Sequence, residues 1–181
     1  MPGVPGDRHL VRHAAAAQGR RRHRPLRALR SHPGARLKKV LRVFTDGASR
    51  GNPGPSGLGV VIEDEHGVRL RAFHRWLDRM TNNEAEYHAL VDGLKAVQDW
   101  KADSVEFNLD SKLVVEQMNG VWKIKKPELH RLYEQAKALA NSLDDVVFQH
   151  VERERNKGAD ALANMAIDEH LKKPARGSVS G

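Results

Sequence analysis

The sequence predicts an α/β domain on a five-stranded mixed sheet, three antiparallel strands followed by parallel ones, flanked by helices. Three observations lead there. Residues 40–77 hold three strand-like runs joined by short, turn-rich connections, as in an antiparallel meander. From residue 82 onward, helix-period and strand-period stretches follow one another and complete the order βββαβααβα, and a helix between two strands favours their parallel pairing. No internal repeat is present, and the patterned region of about 135 residues suits one domain.

In chain order, Val40-Leu41-Arg42-Val43-Phe44-Thr45-Asp46 reads as the first strand. Gly47 through Gly59, with Asn52-Pro53-Gly54-Pro55, reads as a loop feeding a second strand, Leu58 to Glu63. His66-Gly67 is a hairpin turn into a third strand, Val68 to Leu77. Asn82 to Trp100 is a helix, because Ala89, Leu90, Gly93, Leu94, Ala96, Val97 and Trp100 recur at helical spacing opposite the polar Glu84, His88, Asp92, Lys95 and Asp99. Val105 to Asp110 alternates as a strand does. A short helix, Ser111 to Met118, with Ser111 as its cap, a longer helix, Pro127 to Ser142, a strand, Val146 to Val151, and a last helix, Asn156 to Leu171, complete the order.

Composition narrows the chemistry. With 31 Lys and Arg, 23 Asp and Glu and no Cys in 181 residues, there is no disulfide framework, no thiolate metal site and no cysteine nucleophile. Metal chemistry would run on oxygen and imidazole ligands, which favours hard cations. No apolar run approaches the roughly 20 residues of a membrane span, so a soluble protein with no membrane partner is expected. The charge is segregated: residues 1–39 carry 11 basic side chains and one acid, net +10, while residues 40–181 are net −2. Residues 1–37, with four prolines and the run Arg20-Arg21-Arg22, are expected to be a disordered basic arm, and residues 173–181 a flexible tail. The arm reads as a polyelectrolyte that holds nucleic-acid phosphates or as an inert leader. A transit peptide also fits its Arg-rich, acid-poor composition, although Ser31 is its only serine, and no secretory h-region is visible.

The acids fall at particular places. Asp46 ends the first strand and Asp110 the fourth, where α/β sheets bind ligands beyond the carboxyl ends of their strands. Taken singly, each reads first as Asp-Gly or Asp-Ser turn chemistry. Glu84 and Glu86 lie two positions apart, roughly 200° around a helix, so they cannot share a face. Glu84 keeps register with the polar stripe. Glu86 precedes Ala89 and Leu90 by three and four residues and points inward, where it needs a cation, Arg79 or a backbone amide as partner. Asp160 stands in the first turn of the last helix, where the helix dipole favours an acid in any case, and borders the buried stripe Ala159, Leu162, Ala163, Ala166 and Ile167. Four carboxylates so disposed could hold two divalent cations, and Mg²⁺ suits all-oxygen ligands and phosphates.

Five motifs, Thr45-Asp46-Gly47-Ala48-Ser49, Gly51-Asn52-Pro53-Gly54-Pro55, Thr81-Asn82-Asn83-Glu84-Ala85-Glu86, Leu109-Asp110-Ser111 and Asn156-Lys157-Gly158-Ala159-Asp160-Ala161-Leu162-Ala163, together resemble the motif set of the type 1 ribonucleases H. The resemblance covers about residues 38–172, in the family's order and spacing. It implies a ribonuclease H-like fold and endonucleolytic cleavage of the RNA strand of an RNA/DNA hybrid, leaving 5′-phosphate and 3′-hydroxyl ends. It also implies that Asp46, Glu86, Asp110 and Asp160 are the catalytic, metal-ligating acids for two Mg²⁺ ions, with Mn²⁺ as a substitute. By the family pattern Asp46 lies between the ions, Asp160 on the water-activating side, and Glu86 with Asp110 on the other. Asn52, Asn82, Asn83 and Glu86 inherit contacts to the minor groove, and Arg79 and Thr81 a DNA-strand phosphate. Asn52 also reads as a turn former and Asn82 as a helix N-cap. A cytoplasmic monomer with no obligate protein partner is expected.

The sequence departs from the family's long-loop members. His150 lies ten residues before Asp160, where such members carry a catalytic-loop His, yet Val146 to Val151 alternates like an unbroken strand, so His150 reads as a strand residue. The loop then shrinks to Glu152 to Arg155, with Arg153 or Arg155 assisting product release. The basic handle is cut down to Trp122-Lys123-Ile124-Lys125-Lys126, either a DNA-tracking edge or a solvated edge with Trp122 in the core. Lys112 follows Asp110-Ser111 where many members carry an uncharged residue. A transposase or resolvase of the same superfamily lacks this helix start together with the Gly-Asn-Pro-Gly-Pro loop. A non-catalytic hybrid-binding module has no reason to keep four clustered acids.

Overall fold

A computed structural model of the chain describes residues 38–172; the expected arm, 1–37, and tail, 173–181, lie outside the described residues. Val40–Ser49 forms β1, Gly54–Asp64 β2, Arg69–Met80 β3, Ser104–Leu109 β4 and Val146–His150 β5. The helices are Asn82–Val97 (α1), Lys112–Met118 (α2), Pro127–Ala140 (α3) and Lys157–Lys172 (α4). The sheet order is β3-β2-β1-β4-β5, antiparallel from β3 to β1 and parallel from β1 to β5. The mixed sheet of the expected order is therefore present.

The differences lie at element ends. Pairing of β1 with β2 continues to Ser49↔Ser56, so the loop read as 47–59 shrinks to Arg50–Pro53. Gly57 and Gly59, read as turn residues, are strand residues lying beneath α4. A Cβ on Gly59 would overlap the Ala159 carbonyl, and one on Gly57 would meet the Ala166 side chain at 2.9 Å. Thr81, not Asn82, caps α1, through a reciprocal capping box with Glu84: Thr81 N–H donates to Glu84 Oε2 at 2.8 Å and Glu84 N–H donates to Thr81 Oγ1 at 3.4 Å. The Asn82 side chain is left free of that task. α1 ends at Val97 and tightens into a 3₁₀ turn, Gln98–Trp100, closed by Lys101 at φ 47°. Ser111 holds the cap position of α2 but its side chain makes no capping bond.

α1 and α4 sit on opposite faces of the sheet. Gly93 of α1 meets Thr45, Val43 and Phe107, whereas α4 covers Gly57 and Gly59, partners of Ala48 and Asp46. Between α1, α3 and the sheet lie Leu41, Val43, Leu58, Val60, Ile62, Leu90, Leu94 and Phe107, all buried. Each such aliphatic side chain contributes roughly 1.5–3 kcal/mol by leaving water. At the entry to β1, Lys39 N–H donates to Asp103 Oδ2 at 2.8 Å and its ammonium to Trp100 O at 2.7 Å. One edge of the sheet is β3, which carries Arg69, Arg71, Arg75 and Arg79 and meets β2 with two register shifts. No helix among the described residues is long and apolar enough to cross a membrane.

The surroundings of two glycines predict a contrast. Gly59→Ala forces a methyl into the α4 backbone and should destabilise by about 3 kcal/mol or more. Gly158, in the first turn of α4, offers ordinary contacts of 3.5 Å or longer, so Gly158→Ala should be neutral or stabilise by up to about 1 kcal/mol. Urea unfolding of both variants decides it; equal losses of stability would refute the packing of α4 on β2.

Candidate active site

Parallel pairing of β1 with β4 ends at Thr45↔Leu109, so Asp46 and Asp110 follow as the two strands part. Glu86 reaches the same place from α1, because Gly47 has no side chain: a Cβ there would overlap the Ala85–Glu86 peptide. Gly47 N–H donates to Glu86 Oε2 at 3.3 Å. Asp46, Glu86 and Asp110 each offer a carboxylate oxygen within 4.8 Å of the others. Asp46 and Glu86 are each only 5% exposed, so Glu86 points inward as its helical phase required. With Asp160, from the first turn of α4, they line a cleft of about 220 Å³.

Crowding sets the electrostatics. Burial, then the charges of Asp110 and Asp160, pushes Asp46 up to about 7. Glu86 is raised as well, by burial first and then by Asp46 and Asp110. Among the described residues none of Asp46, Glu86 and Asp110 forms an ion pair. Asp160 does, accepting from Arg153 Nη2 at 2.7 Å. An all-oxygen set in which the two buried members, Asp46 and Glu86, resist ionisation is compatible with a divalent cation, which would relieve the repulsion.

Of the other residues singled out in the sequence, Asn82 and Arg153 line the cleft. Asn52 touches its rim, its Oδ1 accepting from Asn82 N–H at 3.2 Å. Arg79 is exposed beside the same loop and donates to Pro53 O at 3.4 Å. The Thr81 hydroxyl is spent on the capping box. Asn83 faces a separate groove of about 570 Å³ with Leu113, Gln117, Trp122 and three lysines. Trp122 is 46% exposed with the Lys112 ammonium 6.0 Å from its ring centre, so it is not a core residue. Arg155 lies apart from the cleft, beside Phe44, Val61, Glu63 and Arg69. His150 ends β5 as a strand residue, its Nε2 3.2 Å from Asp110 O and outside the cleft lining. Two residues were not singled out by the sequence pattern. Asn164, one helical turn beyond Asp160, lines the cleft and donates to Asp160 O at 3.0 Å. Asn156, fully buried, donates to Asp110 Oδ1 at 3.0 Å. Their spacing, 156-160-164, is one helix face and was the available signal.

Comparison with known proteins agrees with this geometry. The family described as "Reverse transcriptase-like" matches residues 44–166. The bifunctional protein Rv2228c of Mycobacterium tuberculosis is 47% identical over 133 residues, 73% of this chain and 36% of that protein. The chain thus spans about a third of the length of its mycobacterial relatives. Ribonuclease HI of Halobacterium salinarum is 41% identical over 129 residues, 71% of this chain and 65% of that protein. Its crystal structure superposes with a TM-score of 0.70, covering 72% of this chain and 98% of that one. The structure of LC11-RNase H1 in complex with an RNA/DNA hybrid, 40% identical, gives a TM-score of 0.70 over 73% of this chain and 99% of that one. Fold, family match and these relatives together show that the chain belongs to the type 1 ribonuclease H family.

Proposed function

We propose that the protein is a metal-dependent endonuclease that hydrolyses the RNA strand of RNA/DNA hybrids, with Asp46, Glu86, Asp110 and Asp160 as its catalytic acids. The observation that carries this is the meeting of two buried carboxylates, Asp46 and Glu86, with the half-buried Asp110, none of the three in an ion pair among the described residues, at the parting of β1 and β4. The LC11 enzyme with its hybrid supports the substrate. Two divalent cations, Mg²⁺ or Mn²⁺, would lower the pKa of an attacking water and neutralise charge on the phosphate and the leaving 3′ oxygen, giving 5′-phosphate and 3′-hydroxyl ends. The chain's own part is to hold the acids, admit the backbone and read the sugar. Asp46, which feels the charges of both Asp110 and Asp160, would hold cations together with each of them. Glu86, fixed by Gly47 N–H, keeps one oxygen for the cleft. Asn82, on the cleft wall and joined to Asn52, would read the 2′-hydroxyl that separates RNA from DNA. Arg79, with Thr81 nearby, would take a DNA-strand phosphate. Asn83 would contact the hybrid from the neighbouring groove beside Trp122. Arg153, on Asp160, would help release product, whereas the position of Arg155 lends that role no support.

The catalytic domain is proposed as 38–172, a start supported by the anchoring of Lys39. All four acids come from one chain, which supports a monomer. A cytoplasmic location belongs to the same proposal, since hybrids arise where DNA is copied or transcribed.

Incubating labelled hybrid, duplex DNA and duplex RNA with and without Mg²⁺ tests the activity directly. Asp110→Asn should keep fold and hybrid binding while cleavage falls by orders of magnitude; a variant that cleaves at the parental rate would sink the assignment. Glu86→Gln should likewise abolish cleavage, whereas Glu84→Gln weakens the helix cap by about 0.5–1 kcal/mol and leaves turnover intact.

Metal and pH are linked through Asp46. Because its pKa is raised to about 7 in the folded state, the folded protein holds that proton more tightly than the unfolded chain. The resulting stability is complete below about pH 4 and is lost as pH rises to about 7. In EDTA, Tm should therefore fall across that window, by an amount reflecting at most roughly 4 kcal/mol. Mg²⁺ should restore it at pH 8. Asp46→Asn should flatten the profile and remove the Mg²⁺ effect, and a parental profile in that variant would count against the site.

Deleting residues 1–37 should reduce hybrid affinity and flatten its salt dependence, by a log-log slope of about 0.9 for each phosphate that the arm neutralises, with turnover at saturating substrate unchanged. Superimposable salt titrations of the two proteins would retire the arm as a binding element.

A further inference from the structure

Where β1 and β4 part, one residue fills the gap. Asn156, between the 3₁₀ turn Arg153–Arg155 and α4, is fully buried. Its Nδ2 donates to Thr45 O at 3.0 Å and to Asp110 Oδ1 at 3.0 Å. Its backbone carbonyl accepts from Asp160 N–H at 3.0 Å, and its own N–H donates to Arg153 O at 3.0 Å. Asn156 thus touches the peptide that precedes Asp46, the side chain of Asp110 and the backbone of Asp160.

The chemistry of those contacts is specific to an amide of this length. Both side-chain partners are acceptors, so only the NH₂ end can face them, and its two hydrogens serve one acceptor each. The Oδ1 atom is left without a hydrogen-bond partner among the described residues. Aspartate here would add another carboxylate beside Asp110. Lysine or arginine would supply positive charge itself and compete with a cation. A neutral donor orients Asp110 without neutralising it. The bond to Thr45 O fixes the plane of the Thr45–Asp46 peptide and so the direction in which the Asp46 side chain projects from β1.

We propose that Asn156 is a positioning residue of the carboxylate centre: by bridging the two chain segments where β1 and β4 part it sets the spacing of Asp46 and Asp110, and with it the affinity for divalent cations. This rests on the reading of the centre as a cation site. Groups that orient a metal's ligands from behind commonly change its affinity 10- to 100-fold when removed.

The test is Mn²⁺ binding by calorimetry on the full chain, with folding followed by circular dichroism and hybrid affinity measured in EDTA. In Asn156→Ala the Kd for Mn²⁺ should rise about tenfold or more, while the Kd for hybrid in EDTA stays within about twofold of the parent. Cleavage by the variant should need correspondingly more Mn²⁺ and recover in part when it is supplied. A purely structural residue would not divide cation from hybrid affinity in this way. Should Asn156→Ala fail to fold, Asn156→Gln is measured in its place, since it keeps a buried amide but displaces it by one methylene. A parental Mn²⁺ Kd in the variant measured overturns the proposal. So does loss of folding in both, which would make Asn156 a residue of the fold alone. A parent chain that binds no Mn²⁺ overturns the cation reading itself, a failure distinct from a variant that binds as the parent does.

Discussion

Carboxylates held within 4.8 Å of one another repel, and the surrounding fold is what keeps Asp46, Glu86 and Asp110 together against that repulsion. Each is held by a different device. Asp46 and Asp110 are carried on neighbouring parallel strands whose pairing stops one residue before each of them. Glu86 arrives because Gly47 lets the α1 backbone come down onto β1, and because the Thr81–Glu84 capping box fixes where the helix begins and hence its phase. Asp160 is delivered by α4, whose seat on β2 requires bare backbone at Gly57 and Gly59. The apolar core supplies the free energy that holds these devices in place. The raised proton affinity of Asp46 measures how far the arrangement stands from what an acid prefers in water.

The two ends of the cleft are treated differently. Asp160 is paired with a charge, the exposed guanidinium of Arg153, while Asp110 is held by the neutral, buried amide of Asn156. An exposed ion pair exchanges readily with solvent ions and adds little stability. A buried hydrogen bond is retained, because breaking it would strand a polar group out of water. One side of the site is therefore rigid and the other yielding.

Much of this was legible in the sequence, for reasons that differ by element. Strand and helix order followed from periodicity, and the inward direction of Glu86 followed from 100° per residue, a constraint that leaves no freedom once the helix exists. The family resemblance contributed the grouping of distant acids, which no local pattern contains. What was missed depends on contacts between segments far apart in the chain. Gly57 and Gly59 read as turn residues because nothing local announces a helix passing over them. Thr81-Asn82-Asn83-Glu84 does fit the capping-box pattern, yet Asn82 is itself a good capping residue and competes for the role. Asn156 belongs to a recognised motif, but its burial depends on where two strands diverge. Arg153 and Arg155 are indistinguishable in a four-residue loop until the 3₁₀ turn sends them to different sides.

The arginines of β3 bear on how copies of this protein meet. Among the described residues, the twelve-residue β3 lies at the margin of the sheet with no strand on its outer side, where unpaired amides and carbonyls are a template on which another strand can grow. Were two copies to join antiparallel through β3, Arg69, Arg71, Arg75 and Arg79 of one would run alongside the same residues of the other, with Asp78 the only acid in the strand to offset them. The two shifts of register against β2 bend the strand further from the flatness that such growth needs. Among the described residues, the longer edge of the sheet is thereby guarded against strand-by-strand growth by charge and by shape.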